Sequence, residues 1–173
     1  MSLLSVRNLR IELSTRAGVA PVIDDLSFDL AAGEAISFVG ESGCGKSMTA
    51  LGLMGLLPQG IGRIAGGSIT FDGEELTTAS EARLRARRGN DISMIFQEPM
   101  TSLNPVYTVG EQIAEVLREH QNLSRRAAWA MAAELLDAVR IPNVSRRVSG
   151  YPFQMSGGQR QRVMIAMALA CRP

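Results

Sequence analysis

The chain has 173 residues, of which 46% are hydrophobic and 20% charged, and a formal net charge of +1. That length and balance suit one globular domain or part of a larger one, and they argue against a disordered tail or a surface dedicated to nucleic acid. No apolar run approaches the roughly 20 residues of a membrane span, the start MSLLSVRNLRIEL lacks the regions of a secretion signal, and Cys44 and Cys171 form no disulfide- or metal-type pair, so the sequence reads as a cytosolic chain.

Along the chain, Ile11 and Leu13, then Leu26, Phe28 and Leu30, alternate with polar residues as half-buried strands do. Ala35-Ile36-Ser37-Phe38-Val39 is a short β-capable run, and it leads into Gly40-Glu41-Ser42-Gly43-Cys44-Gly45-Lys46-Ser47. This is the frame G-x-x-x-x-G-K-[ST] of a phosphate-binding loop. Met48 to Leu57 reads as a helix that ends near Pro58. A strand before the loop and a helix after it are required, because loop N–H groups and the positive helix end must converge on the phosphates. Lys46 is the only lysine, and the other 17 basic side chains are arginine. A compact ammonium fits between β- and γ-phosphates where a planar guanidinium does not. The Ser47 hydroxyl follows in position to ligand Mg²⁺.

Ser68 to Phe71, then Asp72-Gly73 and Glu74-Glu75-Leu76, predicts a strand entering a tight turn. Strands on both sides of the loop strand predict an antiparallel sheet beside the nucleotide core, unlike the βαβα order of a small GTPase. Arg85, Arg87 and Arg88 read as a solvated helix face. Ile92-Ser93-Met94-Ile95-Phe96-Gln97-Glu98-Pro99 mimics the NTPase motif that ends in an Mg²⁺-associated Asp, but Gln97 takes the place of that Asp. A neutral amide offers one carbonyl oxygen, carries no charge and cannot act as a base. Gln97 therefore reads as a sensor on the γ-phosphate side, reaching in from a loop. Glu98 as the catalytic carboxylate is the alternative.

Beyond Pro105 the texture turns helical, with Ile113, Ala114 and Leu117, then Ala128, Met131, Ala132, Leu135, Leu136 and Val139, forming core-facing stripes. His120 reads as a solvated or capping residue at the end of the first helix, and Trp129 and Cys171 as packing. Met155-Ser156-Gly157-Gly158-Gln159-Arg160-Gln161-Arg162 then runs into the apolar stretch Val163 to Ala170. Ser156 with Gln159 is a capping-box pattern, and Gly157 and Gly158 leave backbone N–H groups uncovered. One nucleotide needs one such helix end at its γ-phosphate. A second suggests a composite site to which two chains each contribute.

The P-loop, glutamine loop and Ser-Gly-Gly-Gln, in this order and spacing, resemble the nucleotide-binding domain of ABC transporters over essentially the whole chain. Residues 40–47, Met94 to Pro105 and Arg160 to Pro173 are similar to the ATP-binding subunits of oligopeptide, dipeptide and nickel importers. The resemblance implies an α/β fold: a P-loop NTPase core of ABC type with an antiparallel β subdomain and a helical subdomain, C-terminally incomplete. It divides the chain into a nucleotide-binding core (1–104), a helical subdomain (105–154) that receives the permease, and the signature motif with its helix (155–173). It implies ATP and Mg²⁺ held by Gly40, Glu41, Ser42, Gly43, Cys44, Gly45, Lys46 and Ser47. Gln97 would sense the γ-phosphate and join Ser47 at the metal, while Ser156, Gly157, Gly158 and Gln159 close over ATP bound by the opposite subunit.

By the same resemblance the partners are a second ATP-binding subunit, in a homo- or heterodimer, and two integral-membrane permease subunits, with no nucleic acid. The location is peripheral, on the cytoplasmic face of the bacterial inner membrane, and the task is to couple ATP binding and hydrolysis to import of peptides or nickel. Three departures stand out. Leu13 replaces the usual adenine-stacking aromatic, and Met155 replaces the usual Leu or Phe. The strand with the Mg²⁺-associated Asp and catalytic Glu, and the later switch His, would fall past Pro173. The expectation is therefore poor ATP binding, negligible hydrolysis, exposed apolar surface along Val163 to Ala170, and aggregation. The alternatives are a catalytically silent nucleotide-dependent interaction module and a soluble non-transport ABC ATPase, the latter disfavoured by Met100-Thr101-Ser102-Leu103-Asn104-Pro105.

Overall fold

The computed structural model describes residues 2–97 and 102–173; Glu98, Pro99, Met100 and Thr101 of the glutamine-loop segment lie outside the described residues. The chain divides into two compact units, Met1–Arg85 and Ala86–Pro173.

In the first unit, β1 (Ser2–Thr15) pairs antiparallel with both β2 (Gly18–Ala31) and β3 (Gly62–Phe71), and β3 turns back into the short β4 (Glu74–Glu75). The sheet order is β2-β1-β3-β4. The predicted alternation is present on β2, where half-buried Leu26, Phe28 and Leu30 alternate with exposed Ser27 and Asp29, while central β1 buries Val6, Leu9 and Ile11 and β3 buries Ile69. The predicted turn is present too: Asp72 and Gly73 both take positive φ, as a two-residue hairpin loop demands. The register of β1 slips against both neighbours after Val6 and Arg7. There Asn8 and Asp25 adopt left-handed backbone, and Asn8 Nδ2 donates to Asp25 Oδ1 at 2.6 Å. Short polar side chains tolerate that conformation best after glycine.

Two local expectations change. Ala35 to Val39 is not a strand: no described strand pairs with it, and Ile36, Phe38 and Val39 are 44%, 40% and 94% exposed. An extended segment becomes a strand only when a neighbour supplies backbone donors and acceptors. Here the Phe38 ring stands edge-on to Phe28 of β2 at 5.2 Å, a side-chain contact that supplies no backbone partner. The helix after the loop is α1 (Lys46–Leu53), which starts earlier and stops sooner than Met48 to Leu57. Gly55, left-handed just past its cap, explains the stop. Helix α1 crosses the sheet closely at Gly52, where a Cβ would stand 2.6 Å from Ile11 Cδ1. Helix α2 (Glu81–Arg87) then leads across the unit boundary, and of the three arginines expected on a solvated face only Arg85 is exposed: Arg87 is 17% exposed and pairs with Asp91 at 2.7 Å, and Arg88 is half-buried.

The second unit is helical, with α3 (Val109–Gln121), α4 (Arg125–Ala138), α5 (Val144–Arg147), a 3-10 turn at Pro152–Gln154, and α6 (Gly157–Leu169). Thr108 and Ser124 cap α3 and α4 through their side-chain oxygens. Ile113, Ala114 and Leu117 of α3 meet Ala128, Ala132 and Leu136 of α4, as the periodicity predicted. Trp129 packs half-buried on this core, and His120, in the last turn of α3, lies against Gly89. The expectation of a bare apolar α6 is overturned. Val163, Met164, Ala166, Ala168 and Ala170 are buried, and Leu169, at 50% exposure, is the one large apolar side chain of the stretch in the open. The stripes of α3 and α4 close over α6 within the same unit. The bare apolar residues of the fold include Ile36, Phe38 and Val39 instead.

Candidate functional site

In the first unit the segment from Gly40 to Ser47 wraps into a loop closed by its own lysine. Lys46 Nζ donates to the carbonyls of Gly40 and Glu41 at 2.6 and 2.7 Å, and to Cys44 Sγ at 3.2 Å. Gly43 and Gly45 take left-handed backbone, and Gly45 is the N-cap residue of α1. A Cβ on Gly45 would also meet Ile23 Cδ1, so β2 backs the loop there. The sequence did not mark Ile23 for this role; strand alternation reveals that it faces inward, not what it faces. Gly45 offers no side chain to cap α1, and the first turn carries no acidic residue. The helix start thus has no side-chain cap from Gly45 and keeps a positive end, which suits an anion. Ser42 and Gly43 are exposed on the loop, and Ser47 is exposed in the first turn of α1. Thr49 one turn on anchors the turn, its Oγ1 donating to Gly45 O at 3.1 Å.

The ammonium also acts on Cys44. Its hydrogen bond is the chief reason that the thiol titrates below its ordinary range, against a smaller opposing effect of burial. A cavity of about 380 Å³ adjoins the loop, lined by Lys46, Cys44, Thr49, Val22, Ile23 and Phe38 among others. Leu13 sits half-buried on β1, beside Gly62 of β3.

The other predicted site residues belong to the second unit. Gln97 is exposed and lies in irregular backbone, five residues after the bridge between Arg88 and Ile92. At the start of α6 the capping box forms in both directions: Gln159 N donates to Ser156 Oγ at 3.3 Å, and Ser156 N donates to Gln159 Oε1 at 3.1 Å. Gly157 and Gly158 are exposed, and nothing stands within 4 Å of where a Cβ on either would point. The two glycines thus stand exposed at the first two positions, the positive end, of a 13-residue helix.

The ABC transporter family matches residues 23–173. The chain belongs to that family. This ABC chain is 53% identical over 172 residues to the oligopeptide transport ATP-binding protein OppD of Escherichia coli (strain K12), covering 99% of itself and 50% of that protein. To the dipeptide transport ATP-binding protein DppD of Bacillus subtilis (strain 168) it is 47% identical over 170 residues, covering 98% of itself and 51% of the relative. Among solved structures it is similar to the dimeric, post-hydrolysis state of the ATP-binding cassette MJ0796 bound to ADP and Pi. That match has a TM-score of 0.85 at 27% identity and covers 98% of this chain and 70% of the other. The fold is accordingly the α/β fold of an ABC cassette, with an antiparallel sheet and helices. The ABC chain spans about half the length of the curated relatives it matches.

Proposed function

We propose that this chain is the nucleotide-binding part of an ATP-binding subunit that drives peptide import through a membrane permease. The observation that carries the reading is Lys46, drawn onto the carbonyls of Gly40 and Glu41 ahead of an uncapped helix start. The peptide assignment rests on relatives named as oligopeptide and dipeptide transport ATP-binding proteins. ATP phosphates lie on the N–H groups of residues 40–47, with the Lys46 ammonium offsetting their charge. Mg²⁺ suits the Ser47 hydroxyl, a hard oxygen ligand, and would supply charge neutralisation at the phosphates; the Gln97 amide oxygen is a donor of the same chemical class. Gln97 senses the γ-phosphate and takes no proton from water, since an amide is no base.

The start of α6 serves a second nucleotide. Ser156 to Gln159 close over ATP held by the P-loop of another ATP-binding subunit, and two such subunits work beneath two permease chains on the cytoplasmic face of the membrane. Residues 1–104 hold nucleotide, 105–154 receive the permease and 155–173 reach the partner. Titration of a fluorescent ATP analogue into the chain tests the reading: Lys46→Ala should weaken binding by at least about tenfold, given that a hydrogen bond to a charged group is worth about 1.5–3 kcal/mol. Equal affinity in wild type and variant would overturn it.

A further inference from the structure

Arg162 lies one turn into α6 and makes two contacts that the proposed function leaves unused. Its Nε donates to the Gly158 carbonyl at 3.3 Å, and its Nη1 donates to the Arg140 carbonyl at 3.0 Å. Arg140 is left-handed, with φ 58°, and directly follows Val139, the cap residue of α4. Its carbonyl therefore sits at the negative end of that helix, where a cation is favoured. One side chain thus ties the end of α4 to the glycine turn that opens α6, across 22 residues of sequence. Arg160 adds a shorter tie, its Nε donating to the carbonyl of Met155 at 3.1 Å, just ahead of the Ser156 cap.

The turn needs such ties. Glycine is the poorest helix former after proline, and two stand together at the first two positions of α6. Packing does not steady them, since neither has a neighbour where a side chain would be. Steadiness comes from the Ser156–Gln159 box on one side and from the arginines on the other.

We propose that Arg162 is a positioning residue: by holding the Gly158 carbonyl to the end of α4, it keeps the Gly157 and Gly158 N–H groups in one outward geometry, ready for the phosphates of a nucleotide held by a second copy of the chain. The inference rests on the composite-site reading above. Preorganised donors bind without the cost of being ordered first. Arginine is specifically required, because a planar fork reaches both carbonyls at once and a single ammonium on a mobile stem does not.

Three measurements on the full chain decide the matter, comparing wild type with Arg162→Ala and Arg162→Lys. They are amide hydrogen exchange resolved by residue, affinity of the P-loop for a fluorescent ATP analogue, and sedimentation of the chain with and without a non-hydrolysable ATP analogue. Arg162→Ala should speed exchange at Gln159 to Arg162 by about tenfold and weaken nucleotide-driven association by a similar factor. Exchange within Val163 to Leu169 and affinity at the P-loop should stay within about twofold, and Arg162→Lys should recover less than half of either loss. Equal exchange in wild type and Arg162→Ala overturns the tie. Faster exchange with unchanged association overturns its positioning role. Loosening throughout α6, together with lost P-loop affinity, would reduce Arg162 to a fold-stabilising residue and also overturn the role. If the wild-type chain does not associate with nucleotide, the composite-site reading falls and takes that role with it, while exchange still decides whether the tie exists.

Discussion

The two cysteines are driven apart chemically by their surroundings. Cys44 is held below the usual thiol range chiefly by the Lys46 hydrogen bond, whereas Cys171 is pushed up by burial despite a hydrogen bond from Gln121. The thiolate is the reactive form. Maleimide labelling followed against pH should therefore show Cys44 reacting at lower pH than a free cysteine and Cys171 at higher pH. Lys46→Ala should slow Cys44, and ATP should shield it. At Gly45, φ of 93° and the contact with Ile23 act together. Gly45→Ala should cost about 1–3 kcal/mol in urea unfolding, from left-handed strain plus the displaced isoleucine. Gly43→Ala should cost less, because its φ of 87° is strained but nothing lies within 4 Å of the new Cβ.

Between β1 and β3, Glu12 stands opposite Arg63 in register and accepts from Arg63 Nη2 at 2.7 Å and from Arg10 Nε at 3.1 Å. The Arg63 hydrogen bond is the main cause that lowers its carboxyl, with burial pulling the other way. A folded pKa below the unfolded one means that stabilisation is fully present above the ordinary carboxylate range and is lost as pH falls through the lowered value. Glu12→Gln should flatten the acid limb of a plot of stability against pH and leave its neutral side nearly level. Glu75 works alike with a different balance, since burial alone would raise it and donors from Thr77, Ile69 and Thr70 outweigh that. At α6, Ser156→Ala should cost about 1 kcal/mol of stability as a lost cap. Gly158→Ala should instead gain up to about 1 kcal/mol, because alanine is the better helix former and the space is open. Paired thermal melts and association assays check the contrast: a more stable variant that associates less well marks the glycine as kept for contact with a partner.

At the scale of the molecule, exposed apolar side chains include Ile36, Phe38 and Val39, which stand together in an unpaired β-capable run. Such a run invites pairing with another chain. Substituting Phe38 and Val39 by Ser should lower concentration-dependent light scattering, whereas Leu169→Ser, at a single exposed position between buried Ala168 and Ala170, should change it less. The strand and helix stripes, the Asp72-Gly73 turn and the Ser156–Gln159 box were all legible in the sequence, because each is written within a few residues by periodicity, backbone preference or a side chain reaching its own helix. The phosphate loop was legible as a frame for the same reason. Only the tertiary structure decided that Lys46 bends onto Gly40 and Glu41, that Ile23 backs Gly45, that α3 and α4 bury α6, that Ala35 to Val39 finds no strand partner, and that Arg162 reaches Arg140. Each of these depends on which distant or looped-back atoms the chain's path brings within hydrogen-bond or van der Waals reach, and local spacing carries no record of that path.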